Sequence, residues 1–213
     1  FTKIKNLANT DKEIFKSFWD QRINEEYAGD VFELGVKHLN QNNLEKAVEK
    51  FKEAVKLDPN FILAHFFLGN ALIAKGAFKE AETHFRNAIS MQPDYAAAYG
   101  ELGNTFLAQG KLDDAIAQYI AAIEIKPDYF DVHIGLAIAR ENKGEIDTAH
   151  SQFKKAIEIQ PQNPNAHLIF ADSLYNSKKV QEAITHYKVA LKLNPELTQA
   201  QTNLEIALRQ GEK

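Results

Sequence analysis

Residues Ile62–Tyr95 read ILAHFFLGNALIAKGAFKEAETHFRNAISMQPDY, and most of the chain is built from copies of this stretch. A step of 34 residues in either direction lands on the same residue types: Gly35, Gly69 and Gly103 form one series, continued by Ala137 and Ala171. Self-similarity at a fixed period of this size is the mark of a repeat array. Five repeats follow, at residues 28–61, 62–95, 96–129, 130–163 and 164–197. Each carries two helical patterns of about 14 residues joined by a tight turn. Gly76, Gly110 and Gly144 mark the turn, with Asn42 and Lys178 in their place in repeats one and five. Gly and Asn accept the left-handed conformation that ends a helix more readily than Lys. Pro59, Pro93, Pro127, Pro161 and Pro195 close the second helices, since proline cannot continue a helix.

The packing positions follow the same period. Ala47, Ala81, Ala115, Ala149 and Ala183 recur in the second helix, as do Ala54, Ala88, Ala122, Ala156 and Ala190. Between them stand Phe51, Phe85, Tyr119, Phe153 and Tyr187, with Leu34, Leu68, Leu102, Leu136 and Phe170 from the first helix. Alternating small and large side chains are what interdigitating helix pairs require.

The flanks depart from the frame. Residues 1–27 match no repeat position, and Thr10-Asp11-Lys12-Glu13 has the form of a capping box. A helix is expected from about Asp11, with Phe1–Asn9 extended or loose. Ile14, Phe15, Phe18, Trp19 and Ile23 share one face of that helix. They serve either as an end-cap on the first repeat or as a docking helix. Residues 198–213 start a further first helix, with Ala200, Leu204 and Leu208 as its buried face, and supply the polar cap that a solenoid needs.

The period, the Leu-Gly pair, the Ala-aromatic-Ala series and the closing Pro together resemble the tetratricopeptide repeat family. The resemblance covers residues 28–197 and implies an all-α fold, a right-handed α-solenoid of helix-turn-helix repeats. It also implies that the first helices line a concave groove. On that basis the groove carries Phe32, Val36 and Leu39 from repeat one, and Leu63, Phe66, Asn70 and Ile73 from repeat two. Asn104 and Leu107 come from repeat three, Ile134 and Ile138 from repeat four, Asp172 and Tyr175 from repeat five. The groove is apolar over repeats one to three, and acidic and polar over four and five. The layout is also similar to that of magnetosome-associated members of the family, which self-assemble around an organelle membrane.

Little points to catalysis. The net charge is −4 from 25 basic and 29 acidic residues, and the four Arg are scattered, which argues against a nucleic-acid partner. There is no Cys, so thiolate metal sites and disulfides are excluded. His65, His133 and His167 share one repeat position, and His84 and His186 share another. Translation along an array explains them better than convergence on a metal. No catalytic residues, metal ligands or cofactor are expected. The longest apolar run, Phe61–Ala74, is too short to span a membrane. A cytoplasmic location is the expectation, with a targeting segment upstream of Phe1 left open.

The function expected is a non-enzymatic scaffold for protein–protein interaction that binds an apolar or amphipathic peptide or helix in its groove. The alternatives are a self-assembling scaffold and a regulatory module of a larger enzyme. The family's clamp for the acidic C-terminus of heat-shock chaperones needs Lys, Asn and Arg at set groove positions. Phe32, Val36, Phe67, Ala97 and Glu101 stand there instead, and no other frame fits, so that partner is not expected.

Overall fold

A computed structural model describes residues 2–211, with side chains from residue 21 onward. All regular structure among the described residues is helical, in eleven helices: α1 Thr2–Asn40, α2 Leu44–Leu57, α3 Ile62–Ala74, α4 Phe78–Met91, α5 Ala96–Ala108, α6 Leu112–Ile125, α7 Phe130–Asn142, α8 Ile146–Ile159, α9 Pro164–Asn176, α10 Val180–Leu193 and α11 Thr198–Gly211. The chain divides into two compact units, Phe1–Pro93 with α1–α4 and Asp94–Lys213 with α5–α11.

The turns inside the helix pairs share one backbone solution. Asn42, Gly76, Gly110, Gly144 and Lys178 all have positive φ, from 54° to 85°. The next N–H then reaches back to the carbonyl near the end of the preceding helix, as from Ala77 to Leu72 at 2.9 Å, which satisfies a carbonyl the helix end would orphan. Lys178 adopts this conformation at φ 67° despite its Cβ. Between pairs, the residues before the five closing prolines have φ between −127° and −141°. Clash with the proline ring drives them out of the helical region.

The two Ala series are fully buried, and so are Phe51, Phe85, Tyr119, Phe153 and Tyr187. The aromatic ring of the second helix lies against the first helix where that helix is thinnest. A Cβ on Gly69 would stand 2.7 Å from the Phe85 ring, and one on Gly103 would stand 2.6 Å from Tyr119. Exposed ion pairs such as Arg86–Glu82 at 3.0 Å and Lys155–Glu158 at 3.0 Å decorate the second helices, worth little each.

Three expectations need correction. First, α1 is a single helix of 39 residues from Thr2, so residues 2–9 are helical and Thr10 lies within the helix rather than at its start. Second, Leu34 is 39% exposed and not core. The equivalent residues of later repeats, Leu68, Leu102, Leu136 and Phe170, are buried, whereas Leu34 lies on α1, which is one continuous helix from Thr2. Third, Leu208 is 40% exposed, while Ala200 and Ala207 are the buried residues of α11. A stripe set by residues 200 and 207 recurs after two turns, and position 208 falls about 100° further round the helix.

Candidate functional site

In the Phe1–Pro93 unit the expected groove residues fall on α1 and α3. Leu63 is 45% exposed, and Phe66, Asn70 and Ile73 are half-buried on the same stripe of α3. Such a stripe arises because α3 is apolar almost all round: α2 and α4 cover much of it, and Leu63, Phe66, Asn70 and Ile73 are left partly exposed. Val36 and Leu39 are half-buried on α1. Phe32 is the exception. It was expected in the groove, yet it is 8% exposed and packs against Phe51, Phe61 and Phe67 with ring centroids 5.5, 5.1 and 5.2 Å away. A large ring at this position fills the gap between α1, α2 and the start of α3, and burial of that much apolar area outweighs exposure. Phe66 itself leans on Phe85 at 5.9 Å, which fixes the ring's orientation.

Asn70 is distinctive. Its counterparts Asn104 and Asp172 each accept a hydrogen bond from a core tyrosine, Tyr119 Oη and Tyr187 Oη, both at 2.7 Å. Where the core residue is Phe51 or Phe153, the counterpart is the apolar Val36 or Ile138. Asn70 faces Phe85, which has no hydroxyl, and its amide has no hydrogen-bond partner among the described residues. The pairing of Tyr with Asn or Asp fifteen residues earlier is a signal the sequence carried and its reading did not use.

In the Asp94–Lys213 unit, Leu107, Ile134, Ile138 and Tyr175 are half-buried, and the last three lean on the core cluster. Asn104 is exposed, but Tyr119 and Glu101 hold its amide, the Glu101 carboxylate accepting from Nδ2 at 3.1 Å. Burial raises the Glu101 carboxyl above its ordinary value. Burial likewise raises the Tyr119 and Tyr187 phenols, so both remain neutral donors.

The repeated histidines are stitched into the framework. His65 Nε2 lies 3.1 Å from the Pro59 carbonyl and its Nδ1 lies 2.9 Å from Nδ1 of His84. His167 repeats this with Pro161 at 3.2 Å and His186 at 3.0 Å. His133 has Pro127 at 2.9 Å and the Gln152 amide at 2.8 Å. In the neutral pair, Nε2–H of His65 donates to Pro59, so its Nδ1 must accept from Nδ1–H of His84. Burial, then the facing His65 and Lys52, push His84 down to about 4, and burial lowers His65. A depressed folded-state pKa means the unfolded chain binds more protons between pH 6.5 and about 4, so stability is present above that window and is lost as pH falls through it. We expect the melting temperature to drop across this window. His84→Gln, which installs the residue found at Gln152, should lessen the drop, as thermal unfolding by circular dichroism at a series of pH values will show.

Among the described residues no group of three or more His, Cys, Asp or Glu is placed to hold a metal ion. No described helix is long and apolar enough to cross a membrane. Of the expected docking helix, Ile14, Phe15, Phe18 and Trp19 lie outside the residues whose side chains are described, while Ile23 is 60% exposed.

Two family models match the chain, a TPR repeat model at residues 37–76, 69–110 and 103–144, and a tetratricopeptide repeat model at residues 142–205. The chain belongs to the tetratricopeptide repeat family. Its fold is the all-α solenoid of that family, and tetratricopeptide repeats serve as protein–protein interaction scaffolds, generally without catalysis. Solved structures with this fold include TTC0263, a TPR protein of Thermus thermophilus, at 21% identity and TM-score 0.69 over 85% of this chain and 98% of that one. MamA is similar at 23% identity and TM-score 0.69, over 78% and 96%. YrrB, described as a TPR protein with an unusual peptide-binding site, is similar at 20% identity and TM-score 0.66, over 82% and 90%. No curated protein was found to match the sequence.

Proposed function

We propose that this tetratricopeptide repeat protein binds an apolar or amphipathic peptide segment of a partner protein along the stripe of α3 formed by Leu63, Phe66, Asn70 and Ile73. The observation that carries this reading is Asn70. It is a half-buried amide with no hydrogen-bond partner among the described residues, set between apolar side chains on a partly exposed stripe of α3. An amide so placed can both donate to and accept from a peptide backbone, while the apolar neighbours take side chains, the division of labour usual in peptide grooves. An apolar patch on a soluble protein commonly marks such a site. A peptide-binding site in YrrB, a structural neighbour, is consistent with it.

Peptides selected on the wild-type protein from a displayed random library should be apolar or amphipathic. They should lose at least about tenfold in affinity for a Phe66→Glu, Asn70→Ala variant that retains wild-type helicity. Full affinity in a folded double variant overturns the proposal.

A second reading rests on a different observation. Residues 21–27 of α1 are all exposed, with Ile23 at 60% and Tyr27 at 53%. That favours a docking or self-association helix over an end-cap packed on the first repeat. Sedimentation of the intact chain at high concentration tests it, since a monomer there excludes self-association.

A further inference from the structure

At the C-terminal end of the Asp94–Lys213 unit, an open pocket of about 280 Å³ is lined by Asp172, Tyr175, Asn176, Tyr187, Asn203 and Ile206. It forms between α9, α10 and α11, with Asp172, Tyr175 and Asn176 from α9, Tyr187 from α10, and Asn203 and Ile206 from α11. The polar groups in it are organised around one carboxylate. Asp172 Oδ1 accepts from Tyr187 Oη at 2.7 Å and from Asn203 Nδ2 at 2.8 Å. Asp172 Oδ2 has only Gln199 Nε2 at 3.5 Å, a distance at which little hydrogen bond remains.

Every donor to Asp172 is neutral. No Lys, Arg or His among the described residues makes an ion pair with it, although the chain pairs acids and bases freely elsewhere, as at Lys143 and Glu145. The half-buried carboxylate is held by two neutral donors on Oδ1, and Oδ2 is left turned to the cavity with only the long Gln199 contact. The repeat supplies an internal comparison. At the equivalent place Asn104 accepts from Tyr119 in the same geometry, at 2.7 Å. Holding the tyrosine therefore does not require a charge, although Asp172 differs from Asn104 in also accepting from Asn203 of α11.

We propose that this pocket receives the basic side chain of a partner polypeptide. Its guanidinium or ammonium group donates to Asp172 Oδ2 and its aliphatic stem lies against Tyr175 and Ile206. A charge-assisted bond to a carboxylate is about twice as strong as a neutral one, and an aromatic wall adds cation–π attraction. A pocket of this size suits one side chain rather than a whole small-molecule ligand. Ile206 is 44% exposed at the rim, where an incoming stem would cover it. The site involves neither Phe66 nor Asn70, so its failure would leave the α3 reading intact.

The test is a titration of the full chain with three capped tripeptides, acetyl-Ala-Arg-Ala-amide, its lysine analogue and its citrulline analogue, followed by NMR of the Asp172 carboxylate and the tyrosine rings. Citrulline keeps the shape of arginine and removes the charge. We expect saturable shifts at Asp172, Tyr175 and Tyr187 with the two cationic peptides. Citrulline should bind at least about tenfold more weakly, and the cationic binding should weaken as salt rises. Asp172→Asn keeps the acceptor for Tyr187, as Asn104 does for Tyr119, so it should melt like wild type and lose at least about tenfold in arginine-peptide affinity. Citrulline binding as tightly as arginine overturns the proposal. So does the absence of any saturable shift with the cationic peptides, or full arginine-peptide affinity in folded Asp172→Asn.

Discussion

Phe85→Ala is expected to destabilise the Phe1–Pro93 unit by about 3–5 kcal/mol. The ring is fully buried between α3 and α4, touches Phe66 at 5.9 Å and lies against the bare backbone at Gly69. Its removal opens a cavity with a helix backbone for one wall, and a backbone cannot rearrange a rotamer to fill it. The neighbouring glycine makes the prediction sharper. Gly69→Ala alone places a Cβ 2.7 Å from the ring and should cost roughly 1–3 kcal/mol by overpacking. In the Phe85→Ala background the same methyl enters empty space and should be neutral or favourable. A double-mutant cycle from guanidinium unfolding should therefore give a large favourable coupling. Additive losses would mean the two residues do not face each other.

In the other unit, Tyr119→Ala should cost about 3–5 kcal/mol, while Tyr119→Phe should cost only about 0.5–1.5 kcal/mol. The ring is clamped on two sides, since a Cβ on Gly103 would stand 2.6 Å from it and one on Gly135 would stand 2.7 Å away. Its apolar bulk therefore sets most of the loss. The hydroxyl adds one bond to Asn104 at 2.7 Å. Asn104 is exposed, so water replaces that partner when the hydroxyl is lost. Phe already occupies the equivalent place at positions 51, 85 and 153. Denaturant unfolding of the two variants side by side checks the ratio. A Tyr119→Phe loss as large as the alanine loss would place the stabilisation in the hydrogen bond instead.

Much of this was legible from residue types alone. The positions of left-handed turns at Asn42 and Lys178 follow from the register of Gly76, Gly110 and Gly144, and the structure has positive φ at all five. The fully buried Ala and aromatic series follow from the same register. The histidines at one repeat position are framework, each bonded to the carbonyl of a closing proline. A periodic pattern transfers this way because every repeat presents the same neighbours to the next.

The pattern stops being informative where periodicity ends or where a side chain has two choices. Phe32 occupies a groove position by register but turns into an aromatic cluster with Phe51, Phe61 and Phe67. Only the packing at the start of the array decides that. Leu34 is core by register and 39% exposed in fact, on a helix that runs on in line from Thr2. Repeat length and helix pairing are properties of local sequence, since spacing, turn residues and prolines act over a few residues each. The carboxylate pocket at Asp172 is not. It needs Tyr187 and Asn203, 15 and 31 residues away in sequence, and those come together only when α11 packs across the last helix pair. The charge on Asp172 is written in the sequence, but that no Lys, Arg or His among the described residues pairs with it is a fact of the tertiary structure.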